Sequence, residues 1–161
     1  MRNNIPLRSY GVAMQKIQLN DIKDKEGTKE FDYFLGLLAT DGCVTSNRVV
    51  LDFCEANKEL LLYWNSFLNN KCNITQTIHK KFKTKQYRIA FRNSEIVKYL
   101  ANFGIIPNKT NNIKLKYINW DVLRGIIDGD GCISEGNYGS TLKISITSGC
   151  KMFLLQIQEF L

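Results

Sequence analysis

Two similar stretches, one in each half of the chain, constrain the fold more than any other feature of the sequence. They run from Phe34 to Gly42 and from Leu123 to Gly131, and each is an apolar segment that contains small residues and ends in Asp-Gly. Such a pattern predicts a helix that carries a carboxylate at its C-terminal end. The two carboxylates are those of Asp41 and Asp130.

This position is unfavourable for an acidic side chain. The C-terminal end of a helix carries partial negative charge, so a carboxylate there costs about 0.3–1 kcal/mol. Gly42 and Gly131 each follow the aspartate, where a residue with positive φ often terminates a helix. Two acids in an unfavourable position, each in the same local context, favour a functional role over a structural one.

The small residues predict how the two helices meet. Gly36 and Thr40 are four residues apart, as are Gly125 and Gly129, so each pair lies on one helical face. Two such faces allow a close helix crossing, which would bring Asp41 and Asp130 together. Because neighbouring carboxylates repel unless a cation lies between them, the pattern predicts a divalent metal site at a pseudo-twofold axis. An ordinary buried helix pair with solvated aspartates is the weaker interpretation.

The similarity between the two halves extends beyond these helices. Leu51 corresponds to Ile144 once an insertion around 136–140 is allowed for, and the pair Phe67-Leu68 corresponds to Phe160-Leu161. Residues 69–104 have no counterpart after Leu161. We therefore expect either a part of a longer protein or a natural truncation of the second half.

The repeat divides the chain into four parts. Residues 1–27 form an N-terminal linker or extension, 28–104 the first half-domain, 105–118 a connector and 119–161 a truncated second half-domain. The periodicity predicts the order α-β-β-α-β-β-α in the first half. The predicted helices are 29–40, 55–69, 94–103, 120–130 and 151–161, and the predicted strands are 48–53, 74–82, 85–92 and 142–147.

Composition narrows the class of protein. With 44% hydrophobic and 23% charged residues the chain is globular. It has no apolar run of membrane-spanning length and no signal peptide, so we expect no membrane partner and a cytoplasmic or organellar location. The five cysteines form no C-x-x-C pair, which makes structural zinc improbable and is typical of a reducing compartment.

The charge of the chain points to a polyanionic partner. The formal net charge is +7, and no acidic residue occurs between Glu59 and Glu95, a segment rich in lysine and arginine. Outward side chains of the predicted strands would contact nucleic acid. The predicted contact residues are Arg48, Thr75, Thr77, His79, Lys81, Lys83, Lys85, Gln86, Arg88, Arg92, Lys143, Ser145 and Thr147.

Over roughly Phe31 to Leu161 the chain resembles the LAGLIDADG homing endonucleases of the two-motif, single-chain type. The nine-residue motif corresponds to the two stretches described above, and Gly104–Thr110 resembles the segment that usually links the halves. The resemblance implies an α+β fold of two pseudosymmetric halves. Their antiparallel sheets would form a saddle over double-stranded DNA, and the motif helices would pack at its centre.

The resemblance also implies a function. Asp41 and Asp130 would bind Mg²⁺ or another divalent cation beside the scissile phosphates of a specific DNA site, and Lys98 aligns with a basic residue near the active site of relatives. The sixth residue of the motif is usually an acid in this family. The second motif keeps it as Asp128, whereas the first has Ala39. This position is not a metal ligand in the family. The complete form is expected to be a monomer, although the sequence leaves the oligomeric state of this chain open.

Two other functions stay open at this point. One is a catalytically inactive protein on the same fold that binds DNA or RNA, such as a maturase, a regulator or an inactive fragment. The other is a two-helix dimerisation module without affinity for DNA. Retention of both Asp41 and Asp130 favours the enzyme, whereas the missing counterpart of residues 69–104 favours an inactive binder.

Overall fold

A computed structural model describes residues 16–54, 58–78, 84–135 and 141–161. His79, Lys81 and Lys83, which we predict to contact nucleic acid, and the insertion at 136–140 lie outside these ranges. The helices are α1 (Asn20–Lys23), α2 (Lys29–Thr40), α3 (Lys58–Phe67), α4 (Ser94–Ala101), α5 (Trp120–Asp130) and α6 (Lys151–Phe160). The strands are β1 (Cys43–Val44), β2 (Arg48–Cys54), β3 (Asn73–Ile78), β4 (Lys85–Arg92), β5 (Gly131–Glu135) and β6 (Leu142–Ile146).

The first half has the predicted α-β-β-α-β-β-α order, from α2 to α4. Its four strands form an antiparallel sheet in the order β1-β2-β4-β3, in which Leu51 lies opposite Ile89. Alternation along β2 turns Val49, Leu51 and Phe53 to one face, where they are buried with Trp64 of α3. The opposite face of the sheet is therefore available for other contacts.

Side-chain caps define where the two long motif helices begin. Thr28 accepts a hydrogen bond from the backbone N–H of Phe31, and Asn119 accepts one from Val122. The bounds of α2 and α5 agree with the predicted 29–40 and 120–130. At the start of the predicted helix 94–103, Ser94 is the cap that the sequence predicts, but Asn93 accepts the hydrogen bonds of the first turn of α4.

The glycines after the two motif helices also differ from the prediction. Gly131 has φ −81°, and Gly42 is not among the glycines with positive φ, whereas Gly104 has φ +92°. A Cβ atom at Gly42 would lie 2.8 Å from the Cα of Leu38, in the preceding turn. Close approach to their own helices, and not a left-handed backbone, therefore explains glycine at positions 42 and 131.

The connector is bound to the N-terminal part of α2. Asp32 is buried, and its carboxylate accepts hydrogen bonds from the hydroxyl of Tyr117 and from the side-chain amide of Asn119, the latter at 2.6 Å. These bonds satisfy a charge that would otherwise be costly to bury. They also fix the start of α5 relative to α2.

The second half is smaller than the first within the described residues. Here β5 and β6 form a two-stranded antiparallel sheet, followed by α6. The alternation of apolar and polar residues along the predicted strand 142–147 predicts that Leu142, Ile144 and Ile146 face a core, and the register does place them on one face. However, Leu142 and Ile144 are 76% and 55% exposed, so the prediction that they are buried was wrong. None of the described helices has the length and apolar character needed to cross a bilayer.

Candidate active site and nucleic-acid interface

The helices α2 and α5 cross with their backbones in contact. A Cβ atom at Gly36 would lie 3.0 Å from the Cα of Gly125 and would clash with the carbonyl of Val122. A Cβ atom at Gly125 would lie 2.8 Å from the backbone nitrogen of Leu37. Real side chains do not fit at such distances, so this crossing requires glycine on both helices.

The contact continues to the C-terminal ends of both helices. A Cβ atom at Gly129 would lie 2.7 Å from the Cβ of Thr40 and 3.5 Å from a carboxylate oxygen of Asp41. The Thr40 hydroxyl donates back to the Leu37 carbonyl at 3.1 Å, which holds its side chain against its own helix. The short distance from Gly129 to Asp41 shows that the Asp41 carboxylate lies against the last turn of α5, beside Asp130.

The charges of the two aspartates act on each other. Both residues are exposed, so solvent and ions can reach them. Loss of part of its hydration raises the pKa of Asp41, the negative charge of Asp130 raises it further, and the positive charge of Lys109 opposes both effects. The structure therefore brings together the two acids that the sequence singled out.

Lys109 is a candidate active-site residue that sequence reasoning missed. It lies in the connector, is only 8% exposed, and its ammonium group donates to the carbonyl of Thr40 at 3.0 Å. Burial lowers the pKa of Lys109, while the charges of Asp130 and Asp41 oppose that shift. Its only sequence signal was a lysine directly after Pro107-Asn108 in the linking segment.

Lys98 occupies a different position. It is exposed on α4, whose buried face consists of Ile96, Val97 and Leu100. The charges that shift the pKa of Asp41 are those of Asp130 and Lys109. A role for Lys98 at the active site stays a prediction, and Lys109 is the lysine that the structure places there.

The chemistry of the two carboxylates suits magnesium. The described residues contain no group of three or more histidine, cysteine or acidic side chains that could enclose a metal ion. Mg²⁺ commonly binds through one or two carboxylates and keeps several water molecules, so a larger group is unnecessary. Asp41 and Asp130 offer oxygen ligands at an exposed position, and a cation between them would relieve the repulsion that raises the pKa of Asp41.

Asp128, the second acid of the α5 motif, has a separate role. It accepts a hydrogen bond of 2.5 Å from the hydroxyl of Tyr33, across the interface of α2 and α5. The guanidinium of Arg124 lies 4.5 Å from the centre of the Tyr33 ring. Burial and this hydrogen bond to a carboxylate raise the pKa of Tyr33. Asp128 therefore joins the two helices, while the corresponding Ala39 is buried.

The outer face of the first sheet carries several of the predicted DNA contacts. Register places Arg48 opposite Arg92, Thr75 opposite Arg88 and Thr77 opposite Gln86, all on the face away from the core. Lys85 is opposite Ile78, so its position in the strand belongs to the other face of the sheet. In the second half Lys143 and Ser145 are exposed on β6, and Thr147 is exposed just after that strand ends.

The absence of acidic residues between Glu59 and Glu95 predicts a sheet face with only positive charges, but this face also carries an acid. Asp52 of β2 lies opposite Arg88 of β4, and two hydrogen bonds of 2.7 and 2.8 Å join the carboxylate to the guanidinium. Asp52 lies outside residues 59–95, so the composition of that segment does not reveal it. Arg88 is therefore already paired in the absence of nucleic acid.

A basic cavity lies at one end of the same sheet. It has a volume of about 360 Å³, and its cationic lining residues are Lys16, Arg48, Lys71 and Arg92. The ammonium of Lys71 lies 2.7 Å from a carboxylate oxygen of Asp21. Lys16, which the sequence did not single out, adds a positive charge to the edge of the predicted interface.

The comparisons with known proteins agree with this arrangement. A family model described as LAGLIDADG-like domain matches residues 28–104 and 118–161, one segment for each half of the internal repeat. No curated protein sequence matches the chain significantly. Since the family match covers most of the chain, and the motif helices cross as the fold requires, this chain belongs to the LAGLIDADG family of homing endonucleases and DNA-binding proteins.

Proposed function

We propose that this chain is a site-specific endonuclease that hydrolyses phosphodiester bonds of double-stranded DNA with a divalent cation held by Asp41 and Asp130. The observation that carries the proposal is the convergence of these two carboxylates at a helix crossing made by backbone contact. A protein that only bound nucleic acid would gain nothing from placing two repelling acids at the same point.

The residues of this chain supply the positioning. Asp41 and Asp130 hold the metal ion from opposite halves, so the glycine crossing of their helices sets the distance between them. When bound, the metal ion supplies an activated water molecule and stabilises charge on the phosphate oxygens. Lys109 anchors the end of α2 through the carbonyl of Thr40, and its positive charge would offset part of the charge of the two carboxylates.

The outer sheet face would supply binding. Arg48, Arg92 and Lys143 would contact phosphate groups, and such contacts position DNA and make its affinity depend on salt. The side chains of Thr75 and Gln86 are suited to base edges in the major groove, since amide and hydroxyl groups both donate and accept hydrogen bonds. These assignments rest on the strand register and the exposure of the residues.

A nicking assay tests the proposal. A randomised plasmid library is incubated with the full chain and MgCl₂, and cleaved sites are sequenced. We expect cleavage by the wild type and its loss in Asp41→Asn and in Asp130→Asn, while DNA binding in gel-shift titrations persists. Asp121→Asn is a matched control, because Asp121 lies in the first turn of α5, at the opposite end of the helix from Asp130. Equal cleavage by all variants, or none by the wild type, would contradict the proposal.

One observation favours a second candidate. Within the described residues the second half has two strands where the first has four, so it presents a smaller surface to DNA. A catalytically inactive protein on the same fold that binds DNA or RNA, such as a maturase or regulator, would tolerate this smaller binding surface. It predicts binding without magnesium-dependent cleavage, and competition between duplex DNA and structured RNA in gel shifts would identify the preferred partner.

A further inference from the structure

The basic cavity at one end of the first sheet collects cations from four separate parts of the chain. Lys16 precedes α1, Arg48 begins β2, Lys71 precedes β3 and Arg92 ends β4. None of the described residues that line the cavity is acidic. Its volume of about 360 Å³ lies at the lower end of the range of small-ligand sites. By size and by charge, the cavity is therefore suited to a small anion or to one phosphate group of a larger molecule.

Two of these cations lie opposite each other in the sheet. Arg48 of β2 pairs in register with Arg92 of β4, and like charges in directly opposite positions destabilise a sheet. At another register of the same two strands, Asp52 lies opposite Arg88, and their side chains form a salt bridge of 2.7 Å. The outer face of the sheet thus neutralises one arginine and leaves two others together.

The described residues supply no acid to compensate these charges. Within the part of the chain that the structure describes, no ion pair joins Lys16, Arg48 or Arg92 to an acidic side chain. Of the 15 acidic residues of the sequence, only Glu55 lies outside the described ranges, and it follows the other end of β2 from Arg48. Uncompensated cations that share a concave surface attract anions.

The fourth cation, Lys71, has a structural role. Its ammonium lies 2.7 and 2.8 Å from the two carboxylate oxygens of Asp21 in α1. The side-chain amide of Asn69 donates to the same carboxylate at 2.7 Å, as does the backbone N–H of Gln18. This network fixes α1 against the turn that precedes β3. Lys71 is therefore neutralised by Asp21, and the other three cations keep the cavity positive.

Further contacts hold the backbone next to Lys16 in place. The side-chain amide of Asn93, the residue after Arg92, donates to the carbonyl of Ile17 at 2.9 Å. The side chains of Ile17 and Ile22 are buried in the core of the first half. Lys16 is thus attached to an anchored segment beside the end of β4, so its place at the cavity is set by the fold. Such preorganisation lowers the entropy cost of binding a ligand.

The cavity is separate from the two aspartates of the candidate metal site. In the β1–β2 hairpin, Cys43 pairs with Val50 and Val44 pairs with Val49. Asp41 precedes the open end of this hairpin, whereas Arg48 lies at its turn. A phosphate group in the cavity would therefore not be one that Asp41 and Asp130 hold for cleavage.

We propose that Lys16, Arg48 and Arg92 form a binding site for a single phosphate group, apart from the metal site. Each guanidinium can donate two parallel hydrogen bonds to phosphate oxygens, and the ammonium adds a point charge. The phosphate belongs either to a DNA backbone or to a free phosphate compound, since both offer the same oxygens. Lys16 precedes residue 28, where the match to the family model begins, so the site depends on a segment outside the family domain.

Two titrations of the full chain test the site. In the first, inorganic phosphate is titrated by calorimetry at constant ionic strength. In the second, gel shifts measure the affinity for a DNA duplex of arbitrary sequence at several salt concentrations. Both are made in EDTA, so their outcome does not depend on the proposed nuclease activity, and only the DNA titration extends the binding part of the proposed function.

The variants are Lys16→Gln and Arg92→Gln, which both change exposed side chains. The matched control is Lys23→Gln, which removes an exposed charge of the same N-terminal segment but does not line the cavity. Circular dichroism checks the folding of all three. We expect the wild type and the control to bind phosphate alike. The two variants should bind it roughly tenfold to a hundredfold more weakly, because each loses a hydrogen bond between charged groups.

The DNA titration identifies the source of the phosphate. If it is the DNA backbone, the slope of log affinity against log salt should be smaller by about one unit in both variants than in the control. Weaker phosphate binding with an unchanged slope would identify a free phosphate compound as the ligand. If Lys16→Gln behaves as Lys23→Gln does in both titrations, the proposal is overturned.

Discussion

Replacement of Asp41 by asparagine should make the protein more stable and at the same time remove its proposed activity. The carboxylate lies at the C-terminal end of α2, where the helix dipole opposes negative charge, and it lies beside Asp130. Asparagine keeps the shape and hydrogen-bonding capacity of the side chain but removes the charge. The gain in free energy of unfolding should therefore come from electrostatics alone.

The magnitude follows from the position of the charge. A carboxylate at a helix C-terminus costs about 0.3–1 kcal/mol, and relief of the repulsion by Asp130 adds to this gain. Lys109 reduces the gain, because its ammonium loses one of its two counter-charges. We expect a net increase of about 0.5–1 kcal/mol, which corresponds to a rise in Tm of roughly 1–4 °C for a chain of this size.

The dependence on pH has a defined sign. Loss of hydration and the charge of Asp130 raise the pKa of Asp41 in the folded state, so the native protein binds this proton more tightly than the unfolded chain does. The wild type therefore gains stability as pH falls through that raised pKa. The stability advantage of Asp41→Asn should be largest at neutral pH and should shrink in acid.

Thermal unfolding with and without Mg²⁺ checks this reasoning. In the wild type, a ligand at 100 times its Kd adds about 2.7 kcal/mol to the free energy of unfolding. We expect magnesium to raise the Tm of the wild type far more than that of Asp41→Asn, with Asp121→Asn behaving as wild type. A variant that is less stable than the wild type at neutral pH, or an equal magnesium response of both, would refute the argument.

Three further changes give separate tests. Gly36→Ala places a methyl group against the carbonyl of the facing helix, and such overpacking should cost about 1–3 kcal/mol in urea unfolding. Lys109→Met should abolish cleavage while gel shifts show that DNA binding persists, since the ammonium faces the two acids and not the sheet. Asp52→Asn releases Arg88 for phosphate contact, so the salt dependence of DNA binding should steepen by about one unit of slope.

Local patterns were sufficient to predict most of the elements. The bounds of α2 and α5 followed from apolar periodicity because each begins at a side-chain cap and ends at an Asp-Gly pair. The helix crossing was predictable too, since two small residues spaced four apart on each helix leave one face without bulk. Both features depend only on residues that are near one another in the sequence.

The features that sequence analysis missed depend on contacts between distant residues. Lys109 lies at the site because the connector folds back on α2 and its ammonium reaches the carbonyl of Thr40, 69 positions earlier in the chain. The pairing of Arg88 with Asp52 requires β4 to lie beside β2 and not only beside β3. Neither arrangement has a periodicity or a motif that reveals it before the strand order is known.

The division of the two carboxylates between the halves affects how the protein can be made safely. A chain still emerging from the ribosome contains Asp41 long before it contains α5, and the shared centre is complete only once both helices have docked glycine against glycine. A molecule terminated before α5 carries Asp41 without Asp130, and in a misfolded molecule the two acids do not meet. Under the proposed function, hydrolysis would therefore be withheld from every copy in which α2 and α5 have not docked.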